Sequence, residues 1–211
     1  MRRVAVDAQQ PAAAALAEAV AILRAGGVVA MPTDTLYGLA ADPFSSEAVA
    51  RVFAVKGRAA ERAMPLVAAD VDQIVSQLGP LSALARRLAS TYWPGPLTLL
   101  VARPPTLPAD VAGGRDAIGV RVPAHAVTRE LCRACGRVLT ATSANLSGEP
   151  PSSDPDEVER ALGNGVDLLL DAGRTPGGAP STIVDVTGHD VRLVRPGAIA
   201  WDDVQACMRR G

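Results

Sequence analysis

The chain has a single lysine. Of its 21 basic residues all but Lys56 are arginine, so one compact, flexible ammonium stands among planar guanidinium forks that do not reproduce its hydrogen-bonding geometry. Histidine is as scarce, with only His125 and His189, so a histidine-built metal site is not expected and each is read as a loop or surface residue. Cys132, Cys135 and Cys207 are an odd number and too few for a disulfide scaffold, which fits a reducing compartment. No apolar run approaches the roughly 18 residues of a membrane span. Arg2 and Arg3 lead into polar and then alanine-rich sequence without the apolar stretch and cleavage site of a signal peptide, so a cytoplasmic location is expected. A net charge of -1 excludes an overall basic nucleic-acid binder and leaves room only for a local basic surface. Common catalytic signatures are missing too: no GxxxxGK[ST] loop, no GxGxxG after a strand, no HExxH and no paired CxxC. The lone CxxC of Cys132 and Cys135 falls in a predicted helix with no strand before it, and reads as two helix thiols.

What is present is the composition of a folded protein, 48% hydrophobic and 20% charged over 211 residues, with one domain as the first reading. Pro11 to Ala25 reads as a helix closed by Gly26-Gly27, and Gly27 to Met31 as a strand buried on both faces. The spacing of Val49, Val52 and Phe53 predicts a helix over Ser46 to Val55 that delivers Lys56-Gly57-Arg58 at its end. Further helices are expected near Val71 to Leu78, Leu81 to Tyr92, Ala126 to Cys135 and Trp201 to Met208. Strands are expected near Leu97 to Ala102, Ala117 to Val122, Val138 to Ala141, Val166 to Leu170, Thr182 to Val186 and Val191 to Val194. Asp154, Pro155 and Glu157 form the start signal of another helix, running to about Leu162. The class is α/β, with a twisted mixed sheet and surrounding helices.

Five polar patches follow or border these strands, where open α/β sheets bind ligands. PTDTLYG (32–38) is either a self-capped turn or a site. KGR (56–58) projects two cations from one turn and suits phosphate oxygens, or else ends a helix favourably in water. GVRVP (119–123) sets Arg121 among apolar strand residues, where it needs an ion-pair partner or a ligand. TSANLSG (142–148) can offer hydroxyl, amide and backbone donors to an anion, or be a polar loop. PST (180–182) and RPG (195–197) each set a donor beside a strand.

Taken in order through PTDTLYGLA, KGR, WPGPLTL, VRVP, TSANLSG, STIVD and RPGAI, the sequence from about Gly26 to Ile199 resembles the YrdC-type threonylcarbamoyl-AMP synthases. The resemblance implies a YrdC-like domain with an open concave cavity, in the short single-domain form spanning 1–211. It implies an enzyme that makes threonylcarbamoyl-adenylate and pyrophosphate from L-threonine, bicarbonate and ATP, normally with Mg2+, for the threonylcarbamoyladenosine of tRNA. Partners would then be those substrates, with tRNA or tRNA-modification proteins downstream. The family's Lys-x-Arg and Ser-x-Asn signature falls on Lys56, Arg58, Ser143 and Asn145 as catalytic residues. By the same carry-over these four and Arg195 would meet ATP, while Thr35, Arg121 and Ser181 would hold threonine; no protein-bound metal is implied. The chain departs from the pattern at Ala59, where many members have proline, and at Ala69, where some place a histidine near threonine. Two other readings remain: a non-catalytic RNA-binding module, and a carbamoyl-transfer enzyme of hydrogenase maturation, whose acylphosphatase and zinc-finger segments are not found here.

Overall fold

The structure is a computed structural model that describes residues 1–57 and 63–209. In chain order the elements are β1 (Arg2–Ala5), α1 (Ala13–Arg24), β2 (Val29–Met31), β3 (Gly38–Ala40), α2 (Ser46–Val55), β4 (Leu66–Val67), α3 (Val71–Leu78), α4 (Ala83–Tyr92) and β5 (Leu97–Ala102). A 3-10 turn at Ala109–Ala112 leads to β6 (Ala117–Arg121), α5 (Ala126–Cys135), β7 (Leu139–Thr140), β8 (Thr142–Ser143), α6 (Pro155–Leu162), β9 (Leu168–Asp171), β10 (Thr182–Asp185), β11 (Arg192–Arg195) and α7 (Trp201–Arg209).

Local chemistry sets the helix ends. Ser45, Asp70 and Ser82 each accept a hydrogen bond from a backbone N–H of the first turn of α2, α3 and α4, satisfying donors the helix itself cannot. Asp154 caps α6 with Pro155 in its first turn, as expected, but Glu157 accepts from the Ser152 hydroxyl and so does not close a capping box. Gly136 ends α5 in the left-handed region, at φ 70°.

The strands form two mixed sheets, a division the sequence did not reveal. One runs β1-β9-β2-β3-β8 and the other β11-β10-β5-β6-β4-β7. β9 shows why its apolar run is continuous: Leu169 joins the larger core cluster, while Leu168 and Leu170 point the other way into a smaller one under α1 and α5. Cys132 and Cys135 lie in that smaller cluster as buried free thiols. Burial pushes Cys135 up to about 11 and Cys132 higher still, so neither offers a thiolate near neutral pH. No helix among the described residues is long and apolar enough to cross a membrane.

The pairing also gathers the distant polar patches. β3 against β8 sets Gly38 opposite Ser143, joining PTDTLYG to TSANLSG. In the second sheet Ile183 pairs with both Thr98 and Arg195, and Val67 pairs with Arg121.

Candidate active site

A cavity of about 570 Å³ opens where these strands meet, and its walls include Thr35, Arg121, Ser143, Ser181 and Arg195, five of the eight residues singled out from sequence. Leu66, Val67, Leu100 and Ile183 supply apolar wall, and Gly119 leaves the floor open. A Cβ on Gly119 would meet Thr98 Cγ2 at 3.1 Å.

Thr35 sits in the turn after β2, almost fully buried. Its hydroxyl lies 3.1 Å from that of Thr33, and its carbonyl accepts from the Thr175 hydroxyl at 2.9 Å and the Gly177 N–H at 2.8 Å. The glycine-rich loop at 173–180 therefore braces PTDTLYG. Tyr37 donates to the Gly173 carbonyl at 2.7 Å, and desolvation pushes its phenol up to about 12, so it remains a neutral donor.

Arg121 ends β6 with its guanidinium 3.1 Å from Asp34 Oδ1. Burial pushes the guanidinium below its ordinary pKa, and the Asp34 charge partly opposes that shift. His125, expected in a loop or on the surface, is the N-cap residue of α5 and is half-buried. Among the described residues, every buried side-chain polar atom without a hydrogen-bond partner belongs to Asp34, Arg121 or His125. Such atoms are uncommon in folded proteins and mark a place held ready for a ligand, water or strain.

On the opposite wall the Ser181 and Thr98 hydroxyls are 2.8 Å apart, and Arg195 Nη2 donates to the Ser181 carbonyl at 2.7 Å and to its hydroxyl at 3.2 Å. Partial desolvation and the nearby Arg121 lower the Arg195 pKa, two cations sharing one cavity. Such a pair of guanidiniums favours an anionic ligand.

Lys56 and Asn145 stand behind the wall, outside the lining. The Lys56 ammonium donates to the carbonyls of Ser143 at 2.5 Å and Asn145 at 2.9 Å, and to Asn145 Oδ1 at 3.2 Å. Asn145 Nδ2 in turn donates to the carbonyls of Leu146 and Glu149. Here a point charge with three rotatable donors does what a rigid fork would not: it gathers three oxygens of one loop and fixes Ser143 at the cavity wall. Arg58 lies outside the described residues.

The Sua5/YciO/YrdC family model, described as telomere recombination, matches residues 21–197. The chain belongs to that family. A threonylcarbamoyl-AMP synthase of Halorhodospira halophila is 43% identical over 152 residues, 72% of this chain and 80% of that protein. The crystal structure of Pyrococcus abyssi Sua5 complexed with L-threonine is similar at a TM-score of 0.94 and 31% identity, covering 99% of this chain and 61% of that one. Escherichia coli YciO gives a TM-score of 0.85 at 28% identity over 95% of this chain and 98% of its own.

Within this Sua5/YciO/YrdC chain, the Lys-x-Arg and Ser-x-Asn signature becomes one hydrogen-bonded cluster of Lys56, Ser143 and Asn145. Four further residues carry the site without having been assigned to it from sequence. Thr33 and Asp34 were visible inside PTDTLYG but carried no role. Thr98 looks like an ordinary strand threonine, and only the register of β5 against β10 turns it toward Ser181. Arg115 borders the same cavity from the turn before β6, and nothing local in the sequence distinguishes it from other exposed arginines.

Proposed function

We propose that this chain is a threonylcarbamoyl-AMP synthase, converting L-threonine, bicarbonate and ATP to threonylcarbamoyl-adenylate, pyrophosphate and water. The observation that carries this reading is the gathering of Thr35, Arg121, Ser143, Ser181 and Arg195, from separate stretches of sequence, around one cavity.

The reaction brings a carboxylate, a carbamate and a triphosphate into one small space. Threonine's amine and bicarbonate give the carbamate with loss of water; a carbamate oxygen attacks the α-phosphorus, and pyrophosphate leaves. Arg121 would hold the threonine carboxylate, with Thr35 and Ser181 beside it. Arg195 and Ser143 would face the nucleotide, with Arg58 as the other proposed phosphate cation. Lys56 and Asn145 would act by keeping Ser143 in place and by adding positive charge behind it. Preorganised donors and cations of this kind lower the barrier because they need not reorganise as charge moves to the leaving group.

Among the described residues the lining side chains offer hydroxyls and guanidiniums and no carboxylate, and no cluster of three or more metal-ligating side chains occurs. They do not fit a protein cage for Mg2+, which would enter on the phosphate oxygens of ATP. The product would be passed to tRNA threonylcarbamoyladenosine synthesis, making tRNA or tRNA-modification proteins the downstream partners.

Pyrophosphate release from ATP, measured with and without L-threonine and bicarbonate, tests the reading. Release that requires both is expected. Release indifferent to threonine, or none, would sink the synthase and favour a non-catalytic module.

A further inference from the structure

We infer that Trp93 is a positioning residue: its indole N–H locks the turn at 93–96, and that turn sets the spacing of Arg121, Thr98 and Ser181 around the cavity. This rests on the threonine reading above and adds to it a device that stands outside the cavity wall.

Trp93, Pro94, Gly95 and Pro96 join α4 to β5 and meet three strand ends of the second sheet. The Gly95 N–H donates to the Val122 carbonyl at 2.8 Å, and the Pro96 carbonyl accepts from the Thr182 N–H at 3.0 Å. Trp93 Nε1 donates to the Leu97 carbonyl at 2.6 Å. Val122 follows Arg121, Thr182 follows Ser181, and Leu97 precedes Thr98. Each contact therefore lies one residue from a side chain of the cavity wall.

Sheet register explains the need for an indole. β5 and β6 pair as far as Leu99 opposite Val120, and two residues further the same register would set Leu97 opposite Val122. There the chain leaves the sheet toward α5, and the Val122 carbonyl takes its hydrogen from Gly95 instead. Leu97 is fully buried, so its carbonyl needs another donor. Trp93 brings one N–H on a rigid apolar frame. The turn beneath it is tight, since a Cβ on Gly95 would overlap the Tyr92 carbonyl oxygen.

Packing alone does not fix the ring. One side of Trp93 lies against the core, but a second cavity, of about 370 Å³, borders it together with Val71, Val122 and Arg129. With space beside it, the indole is held in place by its hydrogen bond. The ATP side of the site is built separately: Ser143, with Lys56 and Asn145 behind it, belongs to the first sheet, and Arg195 keeps its own pairing to β10. Releasing the lock therefore loosens Arg121 against Thr98 and Ser181 while the loop of Ser143 stays put.

Calorimetric binding of L-threonine and of ATP, each measured separately, tests the assignment. Trp93→Phe keeps an aromatic ring and removes the N–H. Placing β-(3-benzothienyl)-L-alanine at position 93 keeps the bicyclic shape as well and replaces only the N–H by sulfur. In both proteins threonine affinity is expected to fall about 10-fold, the worth of one hydrogen bond, while ATP affinity changes far less. A merely structural role would lower the fraction of folded protein and leave both affinities as they were.

Wild-type threonine affinity in the benzothienyl protein, or an equal loss for threonine and ATP, overturns the proposal. Should Trp93→Phe fail to fold, the benzothienyl protein decides alone. These readouts do not depend on turnover. Failure of the wild-type protein to bind L-threonine would remove the threonine reading and this proposal together, whereas threonine bound equally well with and without the indole N–H removes only the latter.

Discussion

Asp34 and Arg121 face each other across 3.1 Å with side chains only 10% and 9% exposed, yet both Asp34 oxygens and Arg121 Nη1 lack a hydrogen-bond partner. The charges compensate each other while the donors and acceptors stay unspent. Asp34→Asn removes the compensation and leaves a buried guanidinium alone, which costs about 3–5 kcal/mol where burial is complete. A lower denaturation midpoint is expected by calorimetry. Asp34→Leu combined with Arg121→Met, which removes both charges, should recover most of the stability and none of the threonine-dependent turnover. A double variant as unstable as Asp34→Asn would show that the pair is held for more than charge balance.

Lys56 reaches three oxygens of the loop that carries Ser143. Lys56→Met keeps the length of the side chain and removes every donor, so the carbonyls of Ser143 and Asn145 lose their partner behind the cavity wall. Turnover is expected to fall about 100- to 1,000-fold, the usual consequence of unseating one preorganised donor. Lys56→Arg should not restore it, since a fork cannot bond three converging oxygens within a site 3% exposed. Pyrophosphate release measures both variants; wild-type rates in either would remove Lys56 from the machinery.

These two relationships mark where the sequence could and could not be read. Helices with punctuation were legible nearly to the residue: α2 runs Ser46–Val55 as its apolar spacing predicts, and α6 begins at Pro155 behind its aspartate cap. Three of the shortest strands were not: β3, β4 and β8, with two or three residues each, are too short to show a period of two, whereas β2 and β7, no longer, fall inside apolar runs that read as strands. β1 escaped for another reason: its Arg2, Arg3, Val4 and Ala5 carry no alternating apolar pattern, and its pairing with β9 rests on the backbone ladder and on the ion pair of Arg3 with Asp171, a partner 168 residues away. The motif residues of the site were readable as residue types in suggestive places. Their geometry was not, since the placement of Thr98 beside Ser181 and of Asp34 beside Arg121 depends on sheet register and on folding of distant segments.

His125 gives a prediction in pH. Burial lowers its pKa below the ordinary 6.5, with Arg129 acting in the same direction and Asp34 opposing them. The folded protein therefore holds the neutral imidazole while the unfolded chain takes up a proton as the pH falls below about 6.5. Its contribution to stability is complete above that pH and declines progressively as the pH falls through the depressed folded value. Chemical denaturation from pH 7.5 down to pH 5 should show wild type losing stability over this range, and His125→Asn losing less. Parallel curves would mean that other groups set the slope.

Gly197 explains why the RPG segment requires a glycine. A Cβ there would lie 2.3 Å from the Pro180 carbonyl oxygen and 2.5 Å from both the Ser181 carbonyl carbon and the Thr182 nitrogen. All three are backbone atoms of the PST segment, so no rotamer change relieves the overlap. The close crossing lets the Ala198 N–H reach the Pro180 carbonyl at 2.9 Å and keeps Arg195 within reach of Ser181. Gly197→Ala must push the two segments apart, at a cost of about 1–3 kcal/mol by analogy with overpacked cores. It should also weaken ATP and threonine together, because parting the two segments draws Arg195 away from Ser181 and displaces both. Gly188→Ala, with nothing within 4 Å of its added carbon, is the matched control. Measuring KM for both substrates alongside the melting temperature separates the cases: a rise in both KM values in Gly197→Ala alone is expected, and a loss of stability with both KM values unchanged would show that the crossing supports the fold without aiming the site.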